Sequence, residues 1–416
     1  MKKEKNTFDQ EIDLFIDHID GLHQTYPLVN GILKVTQLTS EKKREDFLNT
    51  AKFSEDDESN KEFDFSSLNR YLDLQKKANN SKLATEIIQR NFIVSLISQF
   101  DAYIGSLIRK KFIIRPELLN NSDKNLTFSK LVEYNSIEEL KEYIVEKEIE
   151  SVLRDSHTNQ FKWLENKLGM VLTKDLPSWS TFIELTERRN LFVHSNGIIS
   201  NQYLSVCKKN EVNFYEDINI GDKLEVTNDY FEKAFFCVYE IAVKLSQVIW
   251  RKLLPSNLED ADNDLNDRIY KLIRRKDYKL ALNLSEFATD IIKKHSSHEI
   301  RLILSVNKAQ AYKWDGKDDI CKKFLNSQDW SAMSNKFKLS KFILLDDYEN
   351  AFKLMKKIGN NEDELPKTAY KEWPLFNNIR NEQEFRDLYT EIYNEDYEYV
   401  KYDDDEIMLQ LEQKYN

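Results

Sequence analysis

The chain has 416 residues, of which 41% are hydrophobic and 12% aromatic. This length exceeds one ordinary core and the apolar content excludes global disorder, so we expect two or three packed domains. With only 8 glycines and 6 prolines the chain has few breaks, which predicts an all-α fold. The net charge of −11 disfavours a protein that coats nucleic acid nonspecifically, although a locally basic site is compatible with it.

The features that bear on location point to a soluble cytoplasmic protein without a membrane partner. The first residues, Met1–Lys5, are not followed by an apolar stretch, so no signal peptide is predicted. The most apolar long segment, 235–250, contains Glu240 and Lys244 and is too short to span a bilayer. Three cysteines without metal-ligand spacing favour a reduced protein: Cys207, Cys237 and Cys321.

The amino-terminal part is predicted as a helical extension over residues 1–84. Apolar residues recur at helical spacing in residues 7–38, and the charged stretch 41–62 is interpreted as a solvated helix end or loop. A bundle domain is predicted over 85–254. Its clearest amphipathic stripe runs from Asn91 to Ile108, with Asp101 at the edge, either half-solvated or directed at a buried cation.

Four further helices are predicted in the bundle. Two cover 136–154 and 160–169, and a long one covers 230–254. The remaining one begins near residues 177–181, with Thr181 and Glu184 at capping-box spacing. It ends before Gly197, which places His194 in its last turn.

The carboxy-terminal third contains an internal echo. The segment Asp277–Leu282 recurs as Asp347–Phe352, 70 positions later, and two tetratricopeptide-sized repeats occupy about 68 residues. The sequence therefore predicts a tetratricopeptide-like helical repeat domain over 265–395, with an irregular helical domain as the alternative. Residues 255–264, which include an acidic run, are predicted as a linker, and 396–416 as an acidic tail.

Candidate chemistry is concentrated in the helix before Gly197. It carries Arg189 and Asn190, then three apolar residues, then His194. An arginine and a histidine near one another suffice to bind a phosphodiester and move its protons without a metal. The alternative is that both side chains merely decorate a helix that packs through its apolar residues.

The helical geometry favours a site shared between two chains. Asn190 and His194 are one turn apart and share a face, whereas Arg189 lies about 100° round from Asn190. Arg189 and His194 therefore do not naturally point to one spot within a single helix. They converge if two copies of the helix meet across a twofold interface, so we expect a homodimer.

The motif resembles the signature of the HEPN superfamily, in which an arginine and a polar residue precede a histidine. The neighbouring segments resemble bacterial HEPN domains in the same order, so that the resemblance covers about 85–254. These segments are Phe100–Ile104, Asn196-Gly197, Tyr203-Leu204, Gly221–Leu224 and Tyr230-Phe231.

The resemblance implies a dimeric helical bundle that cuts RNA by attack of a ribose 2′-hydroxyl on the adjacent phosphate. His194 would act as general base or acid, Arg189 would hold the phosphate oxygens, and Asn190 would orient His194 or the phosphate. Asp101 would pair with an arginine of the motif helix. The predicted supporting residues are Asp101, Glu187, Arg188 and Tyr203, with Lys208 and Lys209 as candidates for steering RNA.

Other motifs favour structural explanations. The segment His295–Glu299 contains side chains of the kinds that bind metals, but Ser296 and Glu299 have the spacing of a helix start, which is favoured. No glycine-rich phosphate loop is present, and no cofactor or metal is predicted. We therefore expect a metal-independent endoribonuclease of phage defence, toxin or stress systems, with a protein trigger or antitoxin at the repeats. The alternative is a noncatalytic HEPN-repeat scaffold that senses a protein or nucleotide.

Overall fold

The computed structural model describes residues 8–50, 65–121, 126–174, 176–214 and 218–398. Within these ranges the regular structure is helical, apart from one antiparallel bridge between Ile198 and Lys223, which confirms the all-α prediction. The chain divides into two compact units, Met1–Pro255 and Ser256–Asn416. The predicted tail overlaps this description only at 396–398, since 399–416 lie outside the described residues.

The described residues of the first unit contain eight α-helices. They are α1 (Phe8–Thr50), α2 (Phe65–Ile114), α3 (Phe128–Leu131), α4 (Ile137–Leu153), α5 (His157–Leu168), α6 (Trp179–His194), α7 (Asn201–Lys209) and α8 (Asn228–Leu253), with a 3₁₀ turn at Pro116–Asn121. Four of these helices begin at a hydroxyl that accepts a hydrogen bond from the backbone N–H three residues later. These hydroxyls belong to Ser136, Ser156, Ser200 and Thr227.

Helix α2 provides the centre of this unit's core. Its predicted apolar stripe is buried, with Ile93, Ile97, Phe100 and Ile104 fully enclosed. Helices α1, α4, α6 and α8 pack against it. Aromatic pairs join these helices, as where the ring of Phe100 meets that of Phe182 with centroids 4.9 Å apart.

The boundary predicted between residues 84 and 85 does not separate two domains, because it falls inside α2. The predicted extension is part of the same unit, since α1 packs along α2 and α8. Phe8, Ile12 and Ile19 of α1 are fully buried. Residues 41–50 of the charged stretch form the mostly exposed end of α1, as the interpretation of a solvated helix end predicted, while residues 51–64 lie outside the described residues.

One described helix, within Ser66–Ile114, is long and apolar enough by length and composition to cross a membrane. Half of its apolar window is buried inside the unit. A core helix passes the same test, so this is weak evidence for a membrane span.

Of the two ends of α6, only the carboxyl end follows the predicted pattern. Gly197 has φ +79° and donates its N–H to the Leu191 carbonyl at 3.0 Å, which closes the helix as expected. At the other end Ser178 stands at the N-cap without a side-chain hydrogen bond, so the predicted Thr181–Glu184 capping box does not form. Thr181 and Glu184 lie inside the helix. The Glu184 carboxylate accepts hydrogen bonds from Arg188, Tyr203 and Tyr230 instead.

Gly197→Ala is expected to destabilise the first unit by about 1–3 kcal/mol, because of its positive φ and its tight surroundings. An added Cβ would lie 3.2 Å from both the Leu224 carbonyl oxygen and the Phe192 ring. Gly221→Ala is the matched control, since Gly221 also has positive φ but nothing within 4 Å of its Cβ position. Urea unfolding of both variants measures the difference, and equal losses would show that the crowding at Gly197 is unimportant.

The other eight α-helices belong to the part of the second unit that the structure describes. They are α9 (Leu258–Arg274), α10 (Tyr278–Glu286), α11 (His298–Trp314), α12 (Asp318–Asn326), α13 (Asn335–Leu344), α14 (Tyr348–Ile358), α15 (Lys367–Glu372) and α16 (Gln383–Tyr393), with a π turn at Phe287–Ile291 and 3₁₀ turns at Pro374–Phe376 and Ile379–Asn381. Residues 258–264, predicted as linker, instead form the start of α9. Its acidic residues Glu259 and Asp260 suit the positive end of a helix dipole.

Three consecutive helical hairpins explain the internal echo. In each, one residue with positive φ joins the two helices, namely Lys276, Gly316 and Asp346. The next residue always donates its N–H to a carbonyl five positions earlier, at 2.9 Å. The echo marks the first and third hairpins, where Ala281 and Ala351 are fully buried between helices. The sequence of the second hairpin departs from the repeated segment, so the echo does not extend to it.

The segment His295–Glu299 is a helix start, as favoured, although the cap is one residue later than expected. Ser297 Oγ accepts from the Ile300 N–H at 3.2 Å. Ser296 Oγ instead donates to the buried Asp262 carboxylate at 2.8 Å, and His295 Nδ1 bonds the same carboxylate at 2.9 Å. These contacts tie the loop before α11 to α9.

Candidate functional site

Arg189 lies on α6 in a partly buried position, with 24% of its side chain exposed. Its Nη2 donates to Asp101 Oδ2 on α2 at 3.2 Å, and its Nη1 donates to Asn190 Oδ1 at 3.2 Å. The Nε atom is buried and has no hydrogen-bond partner among the described residues. Asp101 therefore contacts an arginine of the motif helix, and that arginine is Arg189.

The other oxygen of Asp101 contacts a histidine that no sequence motif had singled out. His157 Nε2 lies 2.8 Å from Asp101 Oδ1, and only 8% of the His157 side chain is exposed. His157 begins α5, 56 positions after Asp101, so no helical spacing relates the two residues. The carboxylate thus joins three helices, α2, α5 and α6.

Glu187 lies one turn before Leu191 on α6, on the side that approaches His157. Burial raises the pKa of the Glu187 carboxyl, and the positive charge of a protonated His157 opposes that rise. Asp101 therefore joins His157 to Arg189 by hydrogen bonds, and Glu187 is close enough to His157 for their charges to interact.

Arg188, a predicted supporting residue, faces a different part of the unit. Its Nε donates to Glu184 Oε1 at 2.6 Å, and its guanidinium stacks 3.9 Å above the ring of Tyr230. The Glu184 carboxylate also accepts from the hydroxyls of Tyr203 at 2.6 Å and Tyr230 at 2.8 Å. Burial, and then the Glu184 charge, raise the pKa of both tyrosines.

This buried network, defined by Glu184, Arg188, Tyr203 and Tyr230, connects α6 with α7 and α8. Each of its polar groups is hydrogen-bonded, as buried groups require. Tyr203 is 1% exposed, so it is not available to a substrate. Arg188 and Tyr203 therefore hold the motif helix in position.

His194 occupies the last turn of α6, where it is exposed. It lies about 7.5 Å along the helix axis from Arg189 and about 140° round it. The structure therefore does not bring the two side chains to one face of α6. Asn190 contacts Arg189 and also lies one turn before His194 on the same face of α6, so it is Arg189 that points away from His194.

The segment that follows His194 is fixed by contacts from α2 and from residues 221–224. Arg90, which is 7% exposed, donates to the Asn196 carbonyl at 2.9 Å. Glu86 Oε2 lies 3.5 Å from Arg90 and 2.5 Å from Lys223 Nζ. The bridge between Ile198 and Lys223 completes this arrangement, which we call the α6 clamp: Glu86, Arg90, Asn196, Ile198 and Lys223.

Lys208 and Lys209 lie in the last turn of α7, and both are exposed. Their position leaves them accessible to a polyanion. In the ranges that the structure describes, no group of three or more His, Cys, Asp or Glu side chains could hold a metal ion.

Comparisons with protein-family models, with curated proteins and with solved structures found no match to this chain.

Proposed function

We propose that this chain is a metal-independent endoribonuclease of the HEPN type that acts in the cytoplasm. The proposal rests on the order of Arg189, Asn190 and His194 along α6, and on one observation above all. Arg189, which would bind phosphate, is held by Asp101 from a second helix, 88 positions away in sequence. An arginine that only decorated a surface would not require such a partner.

The chemistry would use two groups. His194 takes the proton from a ribose 2′-hydroxyl, whose oxygen forms a bond to the adjacent phosphorus. The bond from phosphorus to the 5′-oxygen breaks, and that oxygen receives a proton from the imidazolium that His194 has become. The Arg189 guanidinium stabilises the charge that develops on the phosphate oxygens. The products carry a 2′,3′-cyclic phosphate and a 5′-hydroxyl.

The divergence of Arg189 and His194 on α6 supports a site composed from two chains. An isologous contact between two copies of α6 would supply both groups to one phosphate. We therefore expect a dimer by light scattering at micromolar concentration. The matched test mixes Arg189→Ala protein with His194→Ala protein, because a mixed dimer regains one intact site. A fully active monomer, or a mixture that regains nothing, would contradict the composite site.

The experiment that tests the proposed activity maps RNA ends in cells. Expression of the wild-type chain is expected to stop growth and to generate new 5′-hydroxyl RNA ends. His194→Ala should abolish both effects at equal protein level. His298→Ala is the control, since His298 is also exposed but belongs to the second unit. Growth arrest that persists without His194 would overturn the assignment.

The second candidate function is a noncatalytic scaffold of the same superfamily. It is favoured by the fact that both terminal nitrogens of Arg189 already have acceptors within the chain. A scaffold would bind RNA or a nucleotide without producing new RNA ends, so the same mapping separates the two functions. In either case we assign the hairpins of the second unit, as tetratricopeptide-like repeats, to a protein trigger or antitoxin. Their cavity of about 350 Å³, bordered by Tyr270, Phe337 and Trp373, supports this assignment.

A further inference from the structure

His157 is connected to Arg189 through a single intermediate residue, Asp101. Its ring is enclosed between the rings of Phe100 and Phe182, with centroids 6.4 Å and 5.6 Å away. Its Nε2 meets Asp101 Oδ1 at 2.8 Å. Because an ionised carboxylate only accepts hydrogen bonds, Nε2 carries the proton in this contact.

The contact divides the two oxygens of Asp101 between two partners. Oδ1 is engaged by His157, and Oδ2 accepts a single hydrogen bond from Arg189 Nη2. An arginine and a carboxylate otherwise prefer a bidentate pair, with two parallel N–H···O bonds. Here the histidine occupies the oxygen that the second bond needs. Nη1 and Nη2 each keep a second N–H, and 24% of the Arg189 side chain is exposed, so these N–H groups stay available for a phosphate, whereas the buried Nε does not.

We propose that His157 is a positioning residue that prevents Asp101 from pairing with Arg189 through both oxygens. This inference rests on the proposed function, because it assigns a purpose to the remaining N–H groups of Arg189. Without the histidine, Asp101 rotates and closes the bidentate pair, which neutralises the guanidinium and turns its donors away from the substrate. The two carboxylates that interact with His157 are those of Asp101 and Glu187. Carboxylates only accept hydrogen bonds, so neither can replace the N–H of His157.

The test uses His157→Phe, which keeps an aromatic ring between Phe100 and Phe182 but removes the donor. RNA cleavage is expected to fall by roughly 10-fold to 100-fold, mainly in kcat, as when one donor to transition-state charge is lost. His157→Gln, whose amide N–H reaches a similar point, should restore most of the activity. The decisive variant combines His157→Phe with Asp101→Asn. The amide cannot form the bidentate pair, so this double variant should be more active than His157→Phe alone.

A second measurement does not depend on catalysis. Phenylglyoxal modifies guanidinium groups that are not engaged, and peptide mass spectrometry follows Arg189 directly. The modification of Arg189 should slow by about 10-fold in His157→Phe and recover in the double variant. Arg154, whose side chain is 82% exposed, is the internal control, and its rate should not change.

The outcomes separate the inference from the proposed function. If the wild-type chain does not cleave RNA but His157→Phe slows the modification of Arg189, the function fails and the positioning role stands. If His194 is required for cleavage but His157→Phe changes neither cleavage nor modification, the positioning role is overturned. Loss of cleavage in His157→Phe that Asp101→Asn does not relieve also overturns it.

Discussion

His194→Ala and Arg189→Ala are each expected to slow RNA cleavage by purified protein by ~100-fold or more. Loss of His194 removes the group that moves the proton, and loss of Arg189 removes charge stabilisation at the phosphate. Neither change should unfold the chain, since His194 is exposed and Arg189 is only partly buried. The measurement is the initial rate of cleavage of a short single-stranded RNA, with thermal unfolding as the check on folding.

Two controls define this result. Asp101→Ala should have a smaller effect on the rate, because Asp101 only holds Arg189. EDTA should leave the rate unchanged if the mechanism uses His194 and Arg189 alone. Wild-type cleavage by the His194 variant, or a requirement for a divalent metal, would remove the ribonuclease assignment and favour the scaffold.

Glu184→Ala is expected to have the largest effect on stability, a loss of about 3–5 kcal/mol from the first unit. Arg188 would remain in a largely buried site without its counter-ion, and two tyrosine hydroxyls would lose their acceptor. Breaking one side of a buried pair costs this much because the remaining charge is not solvated. Urea unfolding of the full chain measures the loss.

The effect of Glu184→Ala should be confined to the first unit. Hydrogen exchange should accelerate in α6, α7 and α8 and stay unchanged in α9–α14. The matched control is Glu187→Ala on the same helix, since Glu187 is half-buried outside this network. Its change should stay within about 1 kcal/mol. Equal losses for the two variants would mean that the network does not stabilise α6.

Helix positions were predictable wherever one chain segment contained the complete signal. The predicted helix 136–154 matches α4 with its caps Ser136 and Arg154, because capping residues and apolar spacing agree there. The domain boundary predicted after residue 84 was wrong because no single segment contains the signal that decides it. Nothing in the charged stretch shows that α1 returns along α2, since that packing depends on residues far apart in sequence.

The candidate site was predictable only as far as the motif itself. Two adjacent arginines stand in the motif, and their spacing does not show which one meets Asp101. The structure assigns Arg189 to Asp101 and Arg188 to Glu184. His157 has no partner at ligand spacing in the sequence, because its partner Asp101 lies on another helix. A hydrogen bond between distant helices leaves no periodic trace in one sequence.

The α6 clamp, together with the backbone hydrogen bonds beside it, affects the conformational entropy that is lost when two chains associate. The backbone that follows His194 is held by hydrogen bonds from Gly197 to Leu191, from Ile199 to Asp222 and from Leu224 to Gly197. The exposed imidazole therefore projects from an anchored backbone, and only its own two torsions remain to be ordered. Two α6 carboxyl ends can therefore meet without the entropy loss of immobilising a loop. A composite site built this way loses little conformational entropy when two chains associate, so weak contacts between subunits would suffice to assemble it.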